Sequence, residues 1–211
     1  IRNLKFFFKS SQFGEDEKII QLFKKKGTYL DLGCFHPIRW NNTYLMHKLG
    51  WKGINIDLNP LSIELFNVAR PEDLNICAAI SNKKKTKSLY FHHELSSLNT
   101  LSKNHTLLFK QIFGLENLKK KKIKTETLNE LLKKHKITKI DFLNIDIEGH
   151  ELEVLKTVNF SYFAIKVICV EIISTSENIN KKENEIFKFL KKKGYKLKFK
   201  LGINYVFVKR R

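Results

Sequence analysis

Three stretches of the chain place acids where short apolar runs end. Tyr29-Leu30-Asp31-Leu32-Gly33-Cys34-Phe35-His36-Pro37 runs a strand-like segment into Asp31 and Gly33. Trp51-Lys52-Gly53-Ile54-Asn55-Ile56-Asp57 ends a second run in Asp57. Ile140-Asp141-Phe142-Leu143-Asn144-Ile145-Asp146 ends a third in Asp146, with Glu148 and His150 in the loop that follows. In a doubly wound α/β sheet, ligands lie at the carboxyl ends of the strands, near the switch point. An acid ending the second strand offers two acceptor oxygens to ribose hydroxyls, which specifies a nucleoside and not a reaction. Gly33 lets the backbone turn tightly against a cofactor. A full glycine-rich fingerprint is absent, because Phe35 and Pro37 hold the later positions, so a pyrophosphate cradle is disfavoured. Asp146, Glu148 and His150 bring three titratable groups to one strand mouth. Their chemistry is removal of a proton from a weak acid such as an alcohol, by a base or with a metal ion. The plainer readings are a structural Asp at an ordinary strand end for Asp31, and helix N-capping by the acids after Asp146.

The elements that must position these groups alternate between short apolar runs and amphipathic helices. The pattern predicts helices over Glu15–Lys26, Asn42–Leu49, Asn59–Ala69, Leu128–His135 and Glu151–Val158, and from Asn180 to Gly194. Asn59 caps with Pro60 at the first helical position, and Thr127 with Glu130 forms a capping box. Asn180 with Glu183 gives the same signal. Strands are expected at Tyr29–Leu32, Gly53–Asp57, Leu74–Ile80, Ser88–His92, Ile140–Asp146 and Val167–Ile172. A hairpin over Leu201–Asn204 joins Tyr195–Lys200 to Tyr205–Lys209. Such alternation gives a seven-stranded, mostly parallel sheet with helices on both faces and the last hairpin supplying the antiparallel strand. No repeat or linker divides residues 1–211, which read as one domain.

Composition narrows the class. The 211 residues are 42% hydrophobic and 29% charged, which favours a folded chain over disorder. Cys34, Cys77 and Cys169 are scattered, against a disulfide framework or a structural zinc. No apolar run reaches a membrane span of ~20 residues. The opening Ile1–Lys9 is too short for a signal peptide and has no cleavage site, so a cytoplasmic protein is expected. The net charge of +19 suggests an anionic partner such as nucleic acid, a membrane surface or a phosphorylated substrate. Only five residues are Arg, and Lys supplies the other 35, so a solvated surface competes with that reading. Lys119–Lys122 reads first as a solvated loop and second as a phosphate or nucleic-acid contact. Of His92 and His93 at most one can point inward from a strand.

The chain resembles the FkbM family of methyltransferases. The resemblance rests on Ser11-Gln12-Phe13-Gly14-Glu15-Asp16, the Tyr29–Pro37 stretch, and Asn41-Asn42-Thr43-Tyr44. It continues through Gly50–Asp57 with Asn59-Pro60, Arg70-Pro71, Ile140–Glu151 and Val154-Leu155. It implies a Rossmann-like class I methyltransferase fold, S-adenosylmethionine as donor, and an oxygen acceptor on a sugar, glycan or small molecule. Donor contacts are then expected from Asp31, Gly33, Asp57, the third strand near Ala79, Gln12 and Asn42. Asp146, Glu148 and His150 are the expected catalytic groups. Mg²⁺ held by Asp146, Glu148 and Glu171 is the alternative to a base. The resemblance is weakest over residues 94–122, where an acceptor-pocket insertion is expected. From another class, an RNA-binding protein or RNA methyltransferase on the same scaffold is suggested by the charge.

Overall fold

The strands that end in the three acids take the middle of the sheet, because they bury both faces. The computed structural model describes residues 11–94, 96–173 and 179–210. The opening Ile1–Lys9 lies outside these residues, and so do the side chains of the expected capping pair Asn180 and Glu183.

In chain order the first elements are α1 (Glu15–Ile20), β1 (Thr28–Leu32), α2 (Tyr44–Lys48), β2 (Lys52–Asp57), α3 (Pro60–Ala69), β3 (Leu74–Cys77), β4 (Ala79–Ile80) and β5 (Lys85–Phe91). Next come α4 (Lys103–Phe113), β6 (Lys119–Glu126), α5 (Leu128–Lys134), β7 (Phe142–Ile145), α6 (Glu151–Leu155) and α7 (Phe160–Phe163). The chain closes with β8 (Val167–Glu171), α8 (Ile179–Lys192), β9 (Tyr195–Leu201) and β10 (Asn204–Lys209). The main sheet has seven strands in the order β3-β2-β1-β7-β8-β10-β9. The first five run parallel, and β10 is antiparallel to both β8 and β9. A second sheet of three strands follows the order β4-β6-β5.

Strand alternation divides the core. Leu30, Leu32, Leu143, Ile145, Ile168 and Val170 face one side and pack with α5 and α6. Tyr29, Phe142, Val167 and Cys169 face the other side and pack with Ile19, Met46 and Trp51. Fully burying one such aliphatic side chain contributes roughly 1.5–3 kcal/mol.

Several elements differ from the pattern. The Glu15–Lys26 helix is cut to six residues. Leu22 and Phe23 still reach the core beyond its end, which is why the helical period runs on. The expected strand Leu74–Ile80 is two strands in two sheets. Ile76 pairs with Ile56, whereas Ala79 pairs with Thr125, so the chain changes sheet at Ala78. Lys119–Lys122 is no loop but the first half of β6, hydrogen-bonded to β5. Thr127 caps α5, its hydroxyl accepting from the Glu130 N–H and lying 2.7 Å from Glu130 Oε2.

A carboxylate-lined cleft at the strand ends

The carboxyl ends of β1, β2, β7 and β8 meet in one cleft of about 350 Å³. Its floor and walls carry Asp31, Asp57, Asp146, Glu148 and Glu171. No Lys, Arg or His is among its described lining residues, although the chain bears +19. A cleft with five carboxylates repels phosphates and suits a cationic ligand.

Asp31 sits on the floor, fully buried, and its carboxylate is tied into the protein. Asn144 Nδ2 donates to it at 2.9 Å, Asn41 Nδ2 at 3.0 Å and Thr43 Oγ1 at 2.8 Å. Burial raises its pKa above the usual carboxylate value, against the lowering effect of those donors and of Arg70. Arg70, also fully buried, donates to Asn41 Oδ1, Thr43 Oγ1, the Tyr29 hydroxyl and the Pro37 carbonyl. Tyr29 in turn donates to Asp73 at 2.5 Å. This network shapes the loop 33–43 that walls the cleft. Asn42, expected beside the donor, lines the cleft and donates to Asn144 Oδ1 at 3.1 Å.

Gly33 adopts a left-handed backbone at φ +82, and a Cβ there would collide with the Asp146 carbonyl. The glycine is required by the joining of two strand ends, β1 and β7. Asp57 accepts from the backbone N–H of Phe35 at 2.9 Å and of Asn59 at 2.8 Å. Burial pushes its pKa up to about 6, opposed by those N–H groups. Ala79 does not line the cleft; Ala78 and Ile80 do, because the change of sheet at Ala78 turns Ala79 toward Thr125. Gln12 lines the cleft from the N-terminal segment. Glu15 holds that segment in place by accepting from Asn204, the residue paired with Glu171 across β10 and β8.

Asp146 and Glu148 both line the cleft. Asp146, Glu148 and Glu171 each place one carboxylate oxygen within 4.8 Å of the others. Burial and then the neighbouring Glu171 raise Asp146 well above the usual carboxylate range. Glu148 is a non-glycine residue at φ +51, a conformation costing roughly 1–3 kcal/mol that functional sites retain. Thr100 Oγ1 donates to its carbonyl at 2.6 Å. His150 is not brought to the cleft. The backbone turns at Gly149, φ +102, and the His150 ring faces β5, where Nε2 lies 2.7 Å from Lys87 Nζ.

Three residues were missed in the sequence. His105 of α4 is buried against Gly149 with Nδ1 3.7 Å from Glu148 Oε2. The only hint was its place opposite exposed residues of an amphipathic helix. Ser62 Oγ and Asn99 Oδ1 line the cleft but lack a hydrogen-bond partner among the described residues, as does Asp146 Oδ1. Buried polar atoms without partners are rare, and three of them line this one cleft. Trp40, 61% exposed and stacked on Phe35, stands at the mouth.

The methyltransferase FkbM domain model matches residues 31–197. A search of curated proteins finds no match.

Proposed function

The chain belongs to the FkbM methyltransferase family, and from that premise we propose that it moves a methyl group from S-adenosylmethionine to a hydroxyl of a sugar, glycan or small molecule. The observation that carries this reading is the acidity of the cleft, five carboxyl groups and no Lys, Arg or His among its described lining residues. When bound, the donor supplies a methyl group activated on a positively charged sulfur. A dinucleotide or nucleoside triphosphate would meet repulsion where this donor meets attraction. The unpartnered Ser62 Oγ, Asn99 Oδ1 and Asp146 Oδ1 fit a ligand with hydroxyl and amino donors.

In this reading Asp57 accepts from the ribose hydroxyls, and Ser62 and Ala78 border the nucleoside. Gly33, Gln12 and Asn42 line the rest of the donor site, and Asp31 holds its floor. Asp146 and Glu148 face the acceptor, and one of them would take the hydroxyl proton as the methyl group passes from the donor sulfur to the acceptor oxygen, leaving S-adenosylhomocysteine. A positioned general base contributes about 10²–10⁴-fold. His105 holds Glu148 in place. The segment 96–101 with Phe113 closes the acceptor side and keeps water out. Most of the acceleration comes from holding the two substrates in line.

A divalent ion in place of the base is the second reading, favoured by the spacing of Asp146, Glu148 and Glu171. Methyl transfer from labelled S-adenosylmethionine to candidate glycans, with and without EDTA, tests both readings. No transfer to any hydroxyl acceptor counts against the first, and EDTA-insensitive transfer counts against the second.

A further inference from the structure

Residues 83–91 and 119–126, which include β5 and β6, hold nine lysines in 17 positions, against 35 in 211 for the whole chain. A general bias toward lysine does not concentrate it threefold on one ribbon. The register keeps these charges from facing each other: Lys120 pairs with Tyr90, Lys122 with Ser88 and Lys124 with Thr86. Leu89 and Thr125 are buried, so alternation puts Lys120, Lys122 and Lys124 on the outer face with those three hydroxyls. Among the described residues, only Lys84 and Lys87 of the nine have a carboxylate within 4.0 Å. The result is a strip of ammonium and hydroxyl donors repeating every ~7 Å along the strand.

The strip ends beside the cleft. Tyr90 and Thr100 exchange backbone hydrogen bonds of 2.8 and 3.0 Å, and residues next to Thr100 wall the cleft. In the chain, α4 leads into β6 through 114–118. Leu107 is 62% exposed on the α4 face opposite the buried His105, Leu108 and Phe109, between Lys103 and Lys110. Ile112 is half exposed at the end of the same helix. A soluble polyanion pairs with the lysines and leaves these apolar groups in water. A bilayer surface takes both, phosphates against the lysines and apolar side chains into the headgroup boundary. Lysine without arginine also suits a diffuse layer of headgroups better than base readout, which favours the arginine fork.

We propose that β5, β6 and α4 dock the protein on an anionic phospholipid surface, with the cleft mouth beside the contact. The docking does not depend on which acceptor is methylated. Co-sedimentation with phosphatidylcholine vesicles, with and without phosphatidylglycerol, tests it. Binding should require the anionic lipid and weaken as salt rises. The triple substitution Lys120→Ala, Lys122→Ala, Lys124→Ala should lower affinity about tenfold or more, with an unchanged melting temperature. Leu107→Ser with Ile112→Ser should also lower it, and low salt should not restore that loss. Absence of vesicle binding, or equal binding to neutral vesicles, would overturn the proposal. So would single-stranded RNA binding more tightly than vesicles with no effect of Leu107→Ser and Ile112→Ser, which would make the strip a nucleic-acid surface.

Discussion

Gly33 lies against the Asp146 backbone with no room for a side chain between them. One contact therefore ties the end of β1 to the loop after β7 at the floor of the cleft. Gly33→Ala must relieve a collision with backbone and hold a left-handed φ, the latter alone costing about 1–2 kcal/mol. The expected result is a melting temperature lower by at least about 2–4 °C and loss of donor binding. Unchanged calorimetric melting and donor affinity would show that the two loops are not tied at this point.

In the proposed function Asp57 should give donor binding its pH dependence. Its folded pKa, pushed up to about 6, lies above the ordinary carboxylate value. The ligand-free fold binds more protons than the unfolded chain between those values, so this group's contribution to stability falls as pH rises through that window. Donor affinity should move the opposite way, rising through pH ~6 as the carboxylate forms and levelling above it. Asp57→Ala should weaken binding about tenfold or more, leaving buried ribose hydroxyls poorly paired at roughly 1–3 kcal/mol. A binding profile that is flat from pH 5 to pH 8 (about the range in which only perturbed groups and His titrate) would remove Asp57 from the donor site.

Catalysis should separate Asp146 and Glu148 from His150. Asp146→Asn or Glu148→Gln should lower turnover about a hundredfold or more, within the span of a positioned base, while donor affinity stays close to that of the unmodified protein. His150→Gln should leave turnover within about twofold, because its ring faces Lys87 and is not a base at the cleft. Steady-state rates on the acceptor decide this. A collapse in His150→Gln alone would place the base where the structure does not.

Much of the arrangement was legible because it depends on local rules. Asp31, Asp57 and Asp146 were readable at or near strand ends since each follows a short, mostly apolar run, and such runs become buried parallel strands. Ala79 was misplaced by one residue, because nothing local marks the change of sheet at Ala78. The strand β6 was hidden because its lysines alternate with lysines, leaving no period-two contrast to read. His150 looked convergent with Asp146 and Glu148 until the positive φ values at Glu148 and Gly149 turned the loop. In the Arg70 network, Arg70 itself donates to residues as far as 41 positions away, and Asn144 reaches Asp31 across 113, a tertiary fact without a sequence pattern.

That network makes a stability prediction. Arg70→Ala strips donors from Asn41, Thr43 and Tyr29, all buried. Removing one partner of a buried charged network costs about 3–5 kcal/mol. Urea denaturation should show a loss of that size. A change below about 1 kcal/mol would mean that water replaces the guanidinium contacts.

In the proposed function the acidic cleft takes S-adenosylmethionine. Isothermal titration of the intact protein with S-adenosylmethionine, S-adenosylhomocysteine and NAD measures it directly. Saturable binding of the first two is expected, weakened in Asp57→Ala and Ser62→Ala, with no measurable binding of NAD, whose phosphates meet five carboxyl groups and no Lys, Arg or His among the described lining residues. Binding of NAD with equal or greater affinity, or no binding of either adenosyl compound, would contradict it.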